Sequence, residues 1–178
     1  MLRRSVICFI SLSFFIGAQG ESSLTPAQVI DQLKSASTQN GIQVGIIIDP
    51  HKSDSINEIY AAIVTLSEGS NYTAYDALLK SGFTMVKHPK FKTPPKVMIL
   101  SLMGITADRT TDGPRPWTLF TLDKSTSKWV LPKKTENELA SVAEAPVSDG
   151  AIIGFSRTAW VKVNNEDYTP KDTPRITE

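Results

Sequence analysis

Four features that are absent or rare in this chain of 178 residues exclude several classes of protein. Its one cysteine, Cys8, lies within the first 20 residues, which have the pattern of a cleaved signal peptide. The mature chain that remains after cleavage is therefore expected to have neither a disulfide nor thiol chemistry. The 19 basic and 18 acidic residues nearly cancel, which gives none of the positive excess typical of nucleic-acid-binding proteins. No apolar run after residue 20 is long enough for a membrane span. Nucleophile-elbow, HExxH and phosphate-loop motifs are missing too, so we expect no enzyme.

The first 20 residues have the three-part pattern of a secretory signal peptide. Met1 to Arg4 is basic, Val6 to Gly17 is apolar with a few serines, and Ala18 to Gly20 supplies the small residues that signal peptidase prefers. A membrane anchor is the alternative, but the apolar run is shorter than the roughly 20 residues that a span needs. We therefore predict a secreted, extracellular protein that is cleaved after Gly20 and rests on its own apolar core.

The rest of the chain predicts an α+β domain with two helices and about six strands. Thr25 and Pro26 mark the start of a helix within residues 22–40, and a second helix is predicted over Ala74 to Lys80. Strands are predicted at 42–48, 59–66, 97–103, 117–122, 128–131 and 151–157, with shorter extended pieces at 83–86 and 160–163. The segment 97–103 is the most apolar of the mature chain and is expected to form the central strand.

Several stretches are predicted to lack regular strands. The basic, proline-rich segment Lys87 to Lys96 is interpreted as a loop, and so is Gly104 to Pro116. Residues 135–145 fit either a weak helix or a loop. The polar end of the chain, residues 164–178, is predicted to be a loose tail.

Between Ile59 and Arg157 a set of short motifs follows a recognisable order. Its members are Asp76-Ala77-Leu78, Leu100 to Ile105, Pro116 to Phe120, and the turn and strand from Asp149 to Ile153. This order resembles the transcobalamin-like C-terminal domain, the small domain that closes over cobalamin in transcobalamin and intrinsic factor. The resemblance implies a β-grasp-like fold, in which a mixed sheet packs on one helix, and a ligand-binding role rather than catalysis.

The resemblance also implies a division of the chain. Residues 59–163 would form the transcobalamin-like domain, and residues 21–58 would add an N-terminal helix and strand that have no counterpart in the family. This chain lacks the large helical domain that forms the other half of the cobalamin site in the vitamin carriers. Met103 stands where the family has an asparagine.

The aromatic hairpin from Trp117 to Leu131 is the candidate ligand-binding segment. Alternation along a strand places Trp117 and Leu119 on one face and Thr118 and Phe120 on the other, so one aromatic can pack inward while another stays available. The resemblance makes a corrinoid, bound without a covalent bond, the leading ligand, with backbone groups and hydroxyls orienting it. The candidate residues are Trp117, Thr118, Leu119, Phe120, Trp129 and Ser101.

Two competing interpretations stay open. Each of these aromatic side chains fits an ordinary place in the core. Alternatively, the hairpin docks an extracellular protein partner or a second copy of the chain, and no small molecule is involved. A concave pocket at Trp117 favours a ligand, whereas a flat exposed patch favours a partner.

Other polar features are weaker signals. Asn71-Tyr72-Thr73 is an N-glycosylation sequon on a predicted turn, although either Asn71 or Thr73 could instead cap the helix that follows. His51 and His88 lie in separate polar segments with no metal-ligand spacing, so no metal site is predicted. The lysines of residues 87–96 could meet an anionic ligand, but a solvated loop is the simpler interpretation.

Overall fold

The computed structural model describes residues 24–35, 41–52, 58–67, 71–110, 113–162 and 168–176, so the predicted signal peptide lies outside it. Within these ranges the chain forms two helices and fourteen strands, which confirms the predicted α+β class. Neither of the two described helices has the length and apolar character needed to cross a membrane. The helices are α1 (Pro26–Ser35) and α2 (Ala74–Lys80). The strands are β1 (Ile42–Asp49), β2 (Tyr60–Leu66), β3 (Met85–Thr93), β4 (Lys96–Leu102), β5 (Ile105–Thr106), β6 (Asp108–Thr110), β7 (Gly113–Arg115), β8 (Trp117–Asp123), β9 (Lys128–Val130), β10 (Lys133–Thr135), β11 (Glu138–Leu139), β12 (Ala151–Arg157), β13 (Trp160–Lys162) and β14 (Tyr168–Pro170).

Both helices begin at a capping threonine. In α1 the Gln28 N–H donates to Thr25 Oγ1 at 3.2 Å, and the Thr25 N–H donates to the Gln28 side chain at 2.8 Å. In α2 Thr73 and Asp76 exchange the same pair of bonds, at 3.4 and 2.8 Å. These bonds satisfy backbone N–H groups that the first helical turn leaves unpaired. Thr73, rather than Asn71, is therefore the cap of α2.

A mixed sheet of five strands, in the order β2-β1-β12-β8-β9, is the main layer of the fold. β1 and β12 run parallel, with Val44 opposite Ala151 and Asp49 opposite Ser156, and the other neighbouring strands are antiparallel. β12 is the middle strand and is buried along most of its length. A second sheet, β3-β4-β5, packs Val97, Ile99 and Leu102 of β4 into the same core as α2.

Apolar side chains fill both sides of the main sheet. In β1, Ile46 and Ile48 pack in the core shared with α2 and β4, whereas Ile47 packs in the core shared with α1, because side chains alternate along a strand. Gly45 also faces α1. A Cβ at Gly45 would lie 2.6 Å from Val29 Cγ1, so this helix approaches the sheet closely at a position without a side chain.

The main sheet contains strands from both sides of the expected boundary between an N-terminal extension, residues 21–58, and a domain, residues 59–163. β1 lies between β2 and β12 and pairs with both of them over most of its length. The expectation of an added strand is therefore corrected: β1 is part of the main sheet. A mixed sheet packed on a helix is present, and α1 covers the face of the sheet opposite α2.

The segment 97–103, expected as the central strand, forms β4 in the smaller sheet instead. Residues 87–96, expected as a loop, form most of β3 and the turn into β4. Proline is tolerated there because β3 is an edge strand, where a missing N–H need not break a ladder, and the pairing shifts register between Lys87 and Lys92. Short paired strands also occupy parts of 104–116, and residues 138–139 pair with β10 rather than form a helix.

The C-terminal segment is tied to the sheet, so the expected loose tail does not extend over residues 168–176. Tyr168–Pro170 pairs with β13 as β14. Further on, Arg175 makes an ion pair with the fully buried Asp49, with Nε 2.7 Å from Oδ2 and Nη2 2.8 Å from Oδ1. Residues 163–167, 177 and 178 lie outside the described part of the chain.

Candidate functional site

An open apolar cavity of about 370 Å³ lies beside the aromatic strand β8. We name it the β8 cavity. Most of its walls come from β8 with its flanking residues, strand β4, and the segment 131–142, and Ala107, Phe155 and Trp160 complete the lining. Its lining is mostly apolar and includes Trp117, Leu119, Val97, Ile99, Ala140 and Val142.

Trp117 is held so that only its apolar surface faces the cavity. The side chain is 9% exposed, and its Nε1–H donates to the carbonyl of Ile105 at 3.0 Å. A buried indole N–H normally requires such a partner, and this bond fixes the plane of the ring. Leu119 follows two residues later on the same face of β8, so the two side chains line one wall together.

The opposite wall is formed by an edge of β4. Its other edge pairs with β3, and on the cavity side it pairs with β5 only at Ser101 and Leu102. The four consecutive residues from Val97 to Leu100 all border the cavity. Because neighbouring side chains in a strand point to opposite faces, four residues in a row indicate that the strand presents its edge rather than one face.

Polar bonds fix the rim of the cavity at residues 134–144. The Ser141 hydroxyl donates to the carbonyl of Pro95 at 2.6 Å, and its N–H donates to Glu144 Oε2 at 3.1 Å. Lys134 Nζ lies 2.9 Å from Glu144 Oε1. The hydrogen bond from Lys134, supported by those from Ser141, lowers the pKa of Glu144 to about 2. The rim carboxylate thus stays ionised at any physiological pH.

Three of the six predicted site residues border the β8 cavity, and three do not. Trp117, Thr118 and Leu119 border the β8 cavity, although the Thr118 hydroxyl already accepts a hydrogen bond from Trp160 Nε1 at 2.9 Å. Phe120 is buried and points away from Trp117. This separation follows from the alternation of side chains along β8.

Ser101 and Trp129 lie elsewhere. Ser101 is buried on β4, 6% exposed, and is not part of the cavity lining. Trp129 packs against the core next to α1, on the opposite side of the sheet, and its Nε1 is buried without a hydrogen-bond partner among the described residues. Its ring covers Gly154, where a Cβ would lie 2.8 Å from Trp129 Cη2. The structure therefore gives Trp129 a packing role.

The other polar candidates are dispersed. Asn71 is exposed at the turn before α2, which leaves its side chain accessible for the predicted glycan. His51 Nε2 lies 3.1 Å from the carbonyl of Thr173, and His88 stacks on Phe91 with ring centroids 5.3 Å apart. Among the described residues no group of three or more His, Cys, Asp or Glu side chains could hold a metal ion.

Two parts of the cavity were missed by sequence reasoning. The first is the β4 edge, because apolar composition predicts burial but not which edge of a strand lacks a partner. The second is the segment from Leu139 to Val142, whose apolar residues follow neither a helical nor a strand period. Its small residue, Ala140, leaves room in the lining that a larger side chain would fill.

Comparisons with known proteins leave the family of this chain open. No family model matches the sequence, and no curated protein matches it. Among solved structures, one similar chain is a "putative metal binding protein" from Ruminococcus gnavus, with 12% sequence identity and a TM-score of 0.38. The match covers 65% of this chain and 94% of the other.

Proposed function

We propose that this protein is a secreted, non-catalytic binding protein that holds an apolar small molecule, or the apolar part of a larger one, in the β8 cavity. The observation that carries the proposal is the combination of an open cavity with a nearly all-apolar lining and a Trp117 indole whose polar atom is already bonded. Pockets for small ligands are typically about 300–1,000 Å³ and mostly apolar. The β8 cavity, at about 370 Å³, lies at the lower end of that range.

The chemistry of the lining favours binding over catalysis. A general acid, base or nucleophile must face the reacting atoms, and no ionisable side chain borders the β8 cavity among the described residues. Binding energy would come from burial of ligand surface, at roughly 25 cal/mol per Å² of apolar area before the cost of association. Affinity should therefore track the apolar area of the ligand more than its charge.

A corrinoid, suggested by the family resemblance, is the first large ligand to test. Its macrocycle exceeds a cavity of this size, so only one edge or substituent would enter and the remaining ring would lie across the rim. The two histidines lie outside the cavity lining, so contact would be apolar rather than through a bond from imidazole to cobalt. A smaller, uncharged apolar molecule fits the cavity better.

The competing function is docking of an extracellular protein. The aromatics of the β8–β9 hairpin are buried or half-buried, so they do not offer the flat patch that a partner would need. Larger exposed apolar side chains lie on the β3–β4 hairpin: Val86 is 54% exposed, Phe91 41% and Met98 51%. A protein partner would therefore meet β3–β4 in preference to the aromatic hairpin.

The test is a fluorescence titration of the mature protein with the neutral apolar dye Nile red and, separately, with cobalamin. The variant Ala140→Phe fills the β8 cavity, and we expect it to weaken dye binding at least tenfold. Ala27→Phe is the matched control, because Ala27 borders a separate apolar cavity of about 240 Å³ beside α1. Loss of binding in A27F with none in A140F would move the site to α1 and refute the proposal, as would no saturable binding of either ligand.

A further inference from the structure

The hairpin formed by β3 and β4 carries a concentrated positive charge. Between Asp76 and Asp108 the sequence has five lysines but neither an arginine nor an acidic residue, although the whole chain has 19 basic and 18 acidic residues. The structure describes this interval completely, and within the described part of the chain none of these lysines makes an ion pair. A local excess of positive charge of this kind attracts anionic partners. The five are Lys80, Lys87, Lys90, Lys92 and Lys96.

The lysines at the end of the hairpin are the ones that can meet a partner. Lys87 is directed elsewhere, because its Nζ donates to the Tyr75 hydroxyl at 3.0 Å and lies 5.6 Å from the centre of the Tyr75 ring. Residues 89–96 are all exposed, and they include Lys90, Lys92 and Lys96. These three ammonium groups therefore face solvent at one end of the smaller sheet.

Two large apolar side chains lie among these lysines. Phe91 is 41% exposed and Met98 is 51% exposed. Val97 packs in the core, and its partner in the ladder between β3 and β4 is Lys92. The neighbouring residues Phe91 and Met98 therefore lie together on the outward face of the sheet, because side chains alternate along a strand. We use the name hairpin patch for Lys90, Phe91, Lys92, Lys96 and Met98.

The hairpin patch is carried on an ordered backbone. The Lys90 N–H donates to His88 Nδ1 at 3.2 Å, and the His88 ring lies against Phe91 with ring centroids 5.3 Å apart. At the turn between the strands, the Ser141 hydroxyl donates to the carbonyl of Pro95 at 2.6 Å. These contacts fix the end of the hairpin against the rim of the β8 cavity, so its charged and apolar groups keep one arrangement.

Protection of a sheet edge explains only part of this composition. Lysines and prolines on an edge strand prevent it from pairing with other molecules, and β3 is an edge strand. Protection of this kind does not require Phe91 and Met98 to face outward, because exposed apolar side chains promote association instead of preventing it. The apolar half of the hairpin patch therefore indicates a surface that binds something.

The composition of the hairpin patch favours a lipid surface over a protein partner. Protein interfaces are enriched in arginine and depleted of lysine, whereas this patch has three lysines and no arginine. Each lysine near an anionic membrane strengthens binding about fivefold. A lysine can also lay its aliphatic stem along apolar groups while its ammonium group stays among the headgroups.

We propose that the hairpin patch docks this protein on a membrane surface that contains anionic lipid. The three lysines would contact the headgroups, and Phe91 and Met98 would enter the boundary between headgroups and acyl chains. This inference goes beyond the ligand binding proposed for the β8 cavity and does not depend on it.

The test is cosedimentation of the mature protein with phosphatidylcholine vesicles and with vesicles that also contain about one-third phosphatidylserine. Removal of two patch lysines in K90A/K92A should weaken binding to the anionic vesicles at least about tenfold. Phe91→Ala should weaken it about threefold by loss of apolar contact. The matched control, K128A/K171A, removes two exposed lysines outside the hairpin and should bind like the unmodified protein.

A second arm replaces the vesicles with polyglutamate, which offers negative charge without lipid. Weaker vesicle binding in K90A/K92A and F91A, with unchanged binding in K128A/K171A, supports the proposal. Equal weakening in both lysine pairs, or no binding to the anionic vesicles, would overturn it. Unchanged vesicle binding by F91A together with equal binding of polyglutamate would also overturn it and indicate an acidic protein or other polyanion as the partner. Thermal unfolding without vesicles checks that every variant is folded.

Discussion

The ion pair between Asp49 and Arg175 offers the sharpest test of how the C-terminal segment supports the sheet. Asp49 is 0% exposed, and its carboxylate accepts from Nε and Nη2 of Arg175 and from the backbone N–H groups of His51 and Arg175. The substitution Arg175→Ala removes the two side-chain bonds and the compensating charge. Loss of one partner of a buried ion pair costs about 3–5 kcal/mol, and the two remaining backbone donors place this variant near 3 kcal/mol.

That cost is a large part of a total stability of roughly 5–15 kcal/mol. Since each kcal/mol lowers the unfolding midpoint of a domain of this size by about 2–4 °C, we expect a fall of about 6–12 °C. Urea unfolding at pH 7 would measure the free energy directly. The control is Lys34→Ala, which breaks the exposed pair with Asp31 and should cost under about 0.5 kcal/mol.

The pH dependence of the same variant has a definite sign. Burial alone would raise the pKa of Asp49, but the hydrogen bonds from Arg175 and His51 together hold it below its ordinary value. This stabilisation is therefore present above the ordinary carboxyl pKa and is lost as the pH falls through the lowered value. In R175A the effect of burial dominates, and the Asp49 carboxyl protonates more readily. The difference in unfolding free energy between the unmodified protein and R175A should therefore become smaller as the pH is lowered. A difference in unfolding free energy under about 1 kcal/mol at pH 7, or a difference that stays constant down to pH 4, would refute this reasoning.

Three further predictions concern packing, the rim and a helix cap. Gly154→Ala should destabilise the protein by about 1–3 kcal/mol and shift tryptophan emission, because the new methyl overlaps Trp129; an unchanged urea midpoint would contradict this. The Glu144 carboxyl should titrate near pH 2 by NMR, and Lys134→Ala should raise that pKa; no change would mean that the rim contact does not form in solution. Thr73→Ala should cost about 1 kcal/mol in unglycosylated protein by loss of the cap, and an equally stable variant would show that α2 does not depend on it.

Local signals in the sequence predicted the elements whose form depends on near neighbours. Thr25 marked the start of α1, and the sequence offered Asn71 or Thr73 as the cap of α2, of which the structure shows Thr73. Such signals are local because capping bonds join residues three positions apart. Alternating apolar residues and a turn predicted β8, β9 and β12 closely. Alternation also separated Trp117 from Phe120, since the period of a strand is a property of the backbone alone.

Which elements lie next to one another cannot be read from local patterns and depends on the complete fold. β1 could be recognised as a strand, but its place between β2 and β12 depends on pairing with residues more than 100 positions away. The β8 cavity joins residues near 97, 117 and 140. Composition and periodicity describe a residue together with its near neighbours in the sequence. A site is formed by chain segments that come into contact only in the folded protein. Local sequence patterns therefore identify the helices and strands of this protein, whereas its candidate site is formed only by the fold.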